Sequence, residues 1–70
     1  MSLFIPPRTE ESIKNLGLSD WIIQDTFDTG TLRPGTTKKY KKYDAYGYTV
    51  QITTVHNEKG EDIVTYVQKW

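Results

Sequence analysis

The sequence contains no cysteine, one histidine and one methionine. Without cysteine there is no disulfide framework, no thiolate metal site and no sulfur nucleophile. One histidine rules out a multi-histidine zinc motif. Length is equally restrictive. A chain of 70 residues makes one small domain, expected over 1–70. A domain of that size buries about 60% of its unfolded surface and has a thin core. A deep cofactor cleft does not fit in it, so neither a cofactor nor a metal is expected. No apolar run approaches the roughly 18 residues of a membrane helix. The opening Met-Ser-Leu-Phe-Ile-Pro-Pro has neither the basic region nor the longer apolar stretch of a secretory signal. These absences give the expectation of a chain that stays off membranes and acts in the cytoplasm, whether cellular or virus-encoded.

No sign of charge dominates either. Nine basic and nine acidic residues cancel. The cancellation hides an asymmetry. Residues 1–30 carry Arg8 and Lys14 against Glu10, Glu11, Asp20, Asp25 and Asp28, whereas residues 31–70 carry the excess of lysine and arginine. Between Thr31 and Tyr43 stand Arg33, Lys38, Lys39, Lys41 and Lys42 with no acid. That is a local positive patch on a neutral protein. A strong duplex binder is usually basic throughout, so the patch suits a small site.

What is present is the composition of a folded protein, 36% hydrophobic with nine aromatic residues. Pro6-Pro7 excludes a helix before it. Thr9 is placed to cap a first helix over 9–16, with Glu10 and Glu11 in its first turn. Ile13 and Leu16 form its apolar stripe, and Gly17 ends it in a left-handed cap. Ser19 caps a second helix over 20–28, whose buried face reads as Trp21, Ile22, Ile23 and Phe27. Thr31 to Gly35 are turn formers. Strands follow over Thr36–Tyr43, Tyr46–Val55 and Ile63–Trp70. In the middle one Tyr48, Val50 and Ile52 alternate with Thr49, Gln51 and Thr53. In the last, Val64, Tyr66 and Trp70 share one face, with Ile63, Thr65 and Val67 on the other. Asp44-Ala45 links the first pair and His56–Gly60 is the second hairpin turn. The expected fold is α+β: two short N-terminal helices packed on a three-stranded antiparallel β-meander.

The run Lys38-Lys39-Tyr40-Lys41-Lys42-Tyr43 carries the most chemistry. Read as a strand, it puts Lys38, Tyr40 and Lys42 on one face and Lys39, Lys41 and Tyr43 on the other. Lysines can hold phosphates and tyrosines can stack on splayed bases, which makes Arg33, Lys38, Lys39, Lys41 and Tyr43 candidate contacts for single-stranded RNA or another anion. The plainer reading is that lysines guard an edge strand against aggregation. His56 is the one histidine, the residue type most used for proton transfer near neutral pH. It could serve as general acid or base in a metal-independent ribonuclease, with Tyr66 as the second candidate catalytic residue. Its position at the mouth of a hairpin speaks against that role. The acids read as turn residues and as the solvated side of a helix, without the glycine-bearing spacing of a calcium loop. Gly30, Gly35, Gly47 and Gly60 are isolated and form no phosphate loop.

The runs Gly17-Leu18-Ser19-Asp20-Trp21-Ile22-Ile23, Gly30, Arg33-Pro34-Gly35, Lys38-Lys39-Tyr40, Gly47-Tyr48-Thr49-Val50 and Ile63-Val64-Thr65 resemble a family of small bacterial domains of unknown function. That family is grouped with RelE/ParE-like toxin ribonucleases. The resemblance spans about residues 8–67. It implies a helix, a glycine turn, a second helix, a Gly-Pro link and a curved antiparallel sheet. It also implies Lys39 and Lys41 as phosphate contacts, with Thr65, Tyr66 and Gln68 on the last strand. The family's first helix opens with a histidine and carries arginines before the glycine. The matching positions here are Arg8, Ser12 and Leu16.

Two functions remain open on the sequence. One is a non-enzymatic interaction protein, of the kind phages and mobile elements encode, that binds a protein or RNA partner through its sheet. Its contact residues would be Trp21, Tyr40, Tyr46 and Trp70, joined by Tyr43 and Tyr66. A homodimer through an open strand edge is a version of it. The other is a toxin-antitoxin ribonuclease that cleaves single-stranded RNA.

Overall fold

The structure, a computed structural model, describes residues 2–70. The chain runs β1 (Ser2–Phe4), α1 (Pro7–Asn15), α2 (Asp20–Thr29), β2 (Thr31–Leu32), β3 (Lys38–Tyr43), β4 (Tyr48–His56) and β5 (Glu61–Lys69). The class is α+β, and both helices and the β3–β4–β5 meander are present. Two short strands extend the meander into a five-stranded mixed sheet in the order β1-β5-β4-β3-β2. β2 pairs antiparallel with β3, and β1 pairs parallel with β5. The helices are therefore not N-terminal to every strand, as the sequence suggests. They form a connection between one edge of the sheet and the other.

Local chemistry sets the helix boundaries. α1 opens at Pro7, whose fixed φ suits the first helical position, and Glu10 N–H closes the first turn on the Pro6 carbonyl at 2.9 Å. Thr9 is consequently not a cap. It is buried inside the first turn, and its hydroxyl donates to the Val64 carbonyl of β5 at 2.8 Å. At the other end Gly17 N–H bonds the Lys14 carbonyl and Leu18 N–H bonds the Ile13 carbonyl, each at 3.0 Å. With Gly17 at φ 72° this is the left-handed glycine stop that the sequence suggests. Ser19 stands at the N-cap of α2, but its hydroxyl makes no capping bond.

Both helices lie on one face of the sheet. Between the layers are Ile13, Leu18, Ile22, Ile23, Phe27, Tyr43, Val50, Ile52, Val64 and Val67, all buried. Thr26 completes the inner face of α2, its hydroxyl bonded to the Ile22 carbonyl at 2.7 Å. Ile22, Ile23, Thr26 and Phe27 recur at helical spacing, which turns Trp21 to the flank, where it is 54% exposed. Trp21 is therefore not part of the buried face.

β4 keeps strict alternation, with Val50, Ile52 and Thr54 inward. β5 does not. Thr53 pairs with Tyr66 while Thr54 pairs with Val64, so Thr65 is an extra residue in a β-bulge. The bulge lets Val64 and Val67, three apart, both enter the core. It turns Tyr66 away from Val64's face, which corrects the face assignment read from the sequence.

Gly30 is a packing constraint of a different kind. Its φ is −72°, which any residue adopts, but a Cβ there would clash with the Thr26 and Tyr40 carbonyls. Gly60, at φ 83°, has open space around it. Gly60→Ala should cost about 1–2 kcal/mol from the left-handed backbone alone. Gly30→Ala should cost more, because backbone atoms must move. Urea denaturation of the two variants checks the order, and a Gly30→Ala protein as stable as wild type contradicts it.

Candidate functional site

β3 is a two-sided strand, and its two sides meet different environments. The inward side faces the C-terminal half of α2. Lys39 Nζ donates to the Phe27 carbonyl at 2.8 Å and lies 4.2 Å from the Phe27 ring centroid. Lys41 Nζ donates to Asp25 Oδ2 and to Thr29 Oγ1, both at 2.7 Å. Tyr43 donates to Asp25 Oδ2 at 2.8 Å and lies 2.9 Å from Thr26 Oγ1. Lys39, Lys41 and Tyr43, candidate RNA contacts in the sequence, are thus engaged with the helix. The Lys41 ammonium beside Asp25, with the Tyr43 hydroxyl, holds its carboxyl below the usual range. Burial, aided by the Asp25 charge, pushes the Tyr43 phenol up to about 12. Asp25 reads in the sequence as a solvated helix acid. Its partners are 16 and 18 residues away, and no local spacing signals them.

The outward side of β3 belongs to the uncovered face of the sheet. Backbone register sets the side chains there in rungs. Lys38 pairs with Thr53 and Thr53 with Tyr66; Tyr40 pairs with Gln51 and Gln51 with Gln68. Lys42 pairs with Thr49, which exchanges backbone hydrogen bonds of 2.7 and 3.0 Å with Trp70. One margin of this grid is Lys38-Tyr40-Lys42, and the other is Tyr66-Gln68-Trp70. Tyr66 and Trp70 are each 59% exposed. With strands about 4.8 Å apart, the margins lie about 10 Å from each other.

Arg33, just past β2, folds over this face. Its guanidinium carbon sits 4.4 Å from the Tyr40 ring centroid, and its Nε donates to Gln51 Oε1. Gln51 Nε2 in turn donates to Gln68 Oε1 at 2.8 Å. Gln51 is buried beneath these partners. The grid carries Arg33, Lys38 and Lys42 and no acid. Glu61, placed on the same side by alternation, is at the distant hairpin, where it accepts from Asn57 Nδ2 at 3.0 Å. Asp44 stands 3.6 Å from Lys42, but the two side chains are 85% and 78% exposed, where an ion pair contributes little.

The remaining sequence candidates divide between the faces. His56 Nδ1 lies 3.1 Å from Asp62 Oδ1 at the hairpin end of β4. Alternation from Thr54 puts His56 on the helix side, whereas Tyr66 is on the open side. The sheet separates them, so they do not form one catalytic site. Trp21 and Tyr46 meet on the helix side at 6.4 Å, and Tyr46 stacks on Tyr48 at 5.6 Å. Tyr40 and Trp70 share the open face. The four contact aromatics read from the sequence therefore make two surfaces. Gln51 is the member that sequence reasoning missed. Its signal was a large amide at an outward position of a threonine-rich strand.

Among the described residues no group of three or more His, Asp or Glu side chains is arranged to hold a metal ion, and no helix is long and apolar enough to cross a membrane. Comparison with known proteins found no matching family model, no similar curated protein and no similar solved structure.

The Asp25–Tyr43 contact makes a pH prediction with a definite sign. The folded Tyr43 phenol titrates near 12 rather than at its ordinary 10, so its stabilisation is complete below 10 and lost as pH rises from 10 to 12. For Asp25 the folded carboxyl is lowered, so its stabilisation is complete above the ordinary 3.8 and lost as pH falls below it. Ultraviolet titration should show one tyrosine ionising last, together with unfolding. Tyr43→Phe should remove that step and cost about 1–2 kcal/mol in denaturation. A Tyr43→Phe protein with an unchanged alkaline profile overturns the assignment.

Proposed function

We propose that this chain is a non-enzymatic binding module whose ligand is single-stranded RNA, held on the open face of the sheet. One observation carries the reading: Lys38 and Lys42 on one margin, Tyr66 and Trp70 on the other, with Arg33 and the Gln51–Gln68 pair between them. With the cationic and the aromatic margin two strands apart, about 10 Å, a single strand can lay its phosphates along one and its bases along the other. The face is an open sheet surface with no helix over it, which suits bases laid on strands. A duplex would need many more phosphate contacts than three cations provide. Descent from RelE/ParE-like toxin ribonucleases belongs to the same proposal. Supporting it are the helix, glycine turn, helix and Gly-Pro link. The missing helix histidine and the separation of His56 from Tyr66 support binding without cleavage.

The test is a titration with short labelled single-stranded RNA. Three cations on the face give a log–log salt slope near −2, so affinity should fall about 20-fold between 50 and 200 mM salt. Lys38→Ala/Lys42→Ala should cut that fall to about threefold. Lys39→Ala/Lys41→Ala should leave the salt slope unchanged, since those ammonium groups face α2. Tyr66→Ala should weaken binding by about 1–3 kcal/mol, and the RNA should be recovered intact. Equal sensitivity to both lysine pairs contradicts the assignment of the face. Shortened products overturn the non-enzymatic reading. No binding at low salt removes RNA as the ligand and favours a protein partner.

A further inference from the structure

The Arg33–Gln51–Gln68 chain of hydrogen bonds has a direction, and chemistry alone fixes it. Arginine is a donor only. Its Nε therefore meets the carbonyl oxygen of Gln51, which turns the Gln51 amide nitrogen toward β5. That nitrogen must donate, so it meets the carbonyl oxygen of Gln68 at 2.8 Å. The Gln68 amide cannot flip without setting two N–H groups against each other. Its Nε2 is left at the outer end of the chain, and among the described residues it has no protein partner. Gln68 is half-buried, between the exposed rings of Tyr66 and Trp70 two residues to either side.

The charged groups around it have the same character. The guanidinium of Arg33 and the ammonium groups of Lys38 and Lys42 can only donate. A ligand seated between Tyr66 and Trp70 therefore meets a fixed amide donor at Gln68, among cations that only donate, and gains by bringing an acceptor to it. Resting on the RNA reading above, we propose that this face selects bases with a carbonyl at the edge farthest from the sugar, uracil and guanine, over cytosine and adenine. Phosphates held at Lys38 and Lys42 point a base across the sheet. The part that reaches Gln68 is its far edge, position 4 of a pyrimidine or position 6 of a purine. A carbonyl there accepts from Gln68 Nε2. An exocyclic amino group sets donor against donor and leaves both unsatisfied.

The test compares ligands that differ at that position and in the proton on the adjacent ring nitrogen, which is a donor beside a carbonyl and an acceptor beside an amino group. Short oligouridylate is measured against oligocytidylate, and oligoinosinate against oligoadenylate, so ring size is matched within each pair. The carbonyl member should bind about three- to tenfold tighter, the value of one well-placed hydrogen bond. Gln68→Glu replaces the outward donor with an acceptor that still receives the Gln51 N–H. It should lower affinity for all four ligands and invert the order within each pair. Reading the ratio rather than the affinity separates selectivity from the added negative charge, and circular dichroism verifies that the variant is folded. RNA binding with a ratio of one, or a ratio that Gln68→Glu leaves unchanged, overturns the inference while the RNA reading stands. No binding by any of the four overturns both.

Discussion

The contact between β3 and the second half of α2 organises this protein. A strand has two sides, and what is pinned on one side decides what is left on the other. Phe27, Asp25 and Thr29 take up Lys39, Lys41 and Tyr43. The phenol of Tyr43 reaches through the core boundary to Asp25, and the two lysines end on the carbonyl, carboxylate and hydroxyl groups of the helix. Lys38, Tyr40 and Lys42 then have no helix to meet and form a margin of the open face. The lysine-rich strand thus serves two purposes. Half of its charge holds the layers together at the C-terminal end of α2, where cations suit the helix dipole. The other half is presented outward.

The bulge at Thr65 supplies the opposite margin. Strict alternation from Val64 would carry Tyr66, Gln68 and Trp70 into the helix layer and turn Val67 out. The core requires both valines, and the extra residue reconciles that demand with the pairing to β4. Its by-product is a row of aromatic and amide groups on the same face as Lys38 and Lys42. Gln51, at the centre of β4, joins the margins through Arg33 and Gln68. A polar side chain so well covered requires partners at both ends of its amide. Having them fixes the orientation of both amides at the centre of the face.

The short motifs behind the proposed descent from toxin ribonucleases map onto structural duties here. Gly17 ends α1, Gly30 lets α2 approach Tyr40, and Gly47, at φ 77°, turns β3 into β4. These are requirements of chain geometry, which unrelated activities can share. Catalysis needs groups gathered at one point. In this chain the histidine and the last-strand tyrosine have the sheet between them, whereas the groups suited to binding are side by side.

The elements long enough to show a period were legible in the sequence. Ile13 and Leu16, Ile22 to Phe27 and Tyr48 to Ile52 declared two helices and a strand through spacing alone, and Gly17 declared its stop through backbone sterics. β1 and β2, of three and two residues, cannot display a period. Each exists because a neighbouring strand offers unpaired backbone groups. The two faces of β3 were also legible, since alternation is a local property. Which face would meet a helix was not, because the partners of Lys41 and Tyr43 lie on α2. The rotation of Tyr66, Gln68 and Trp70 was likewise decided by tertiary structure, since it follows from two valines competing for one core. Local sequence determined what each segment could become. Packing between segments decided which side chains were left facing outward, and the candidate site consists of those side chains.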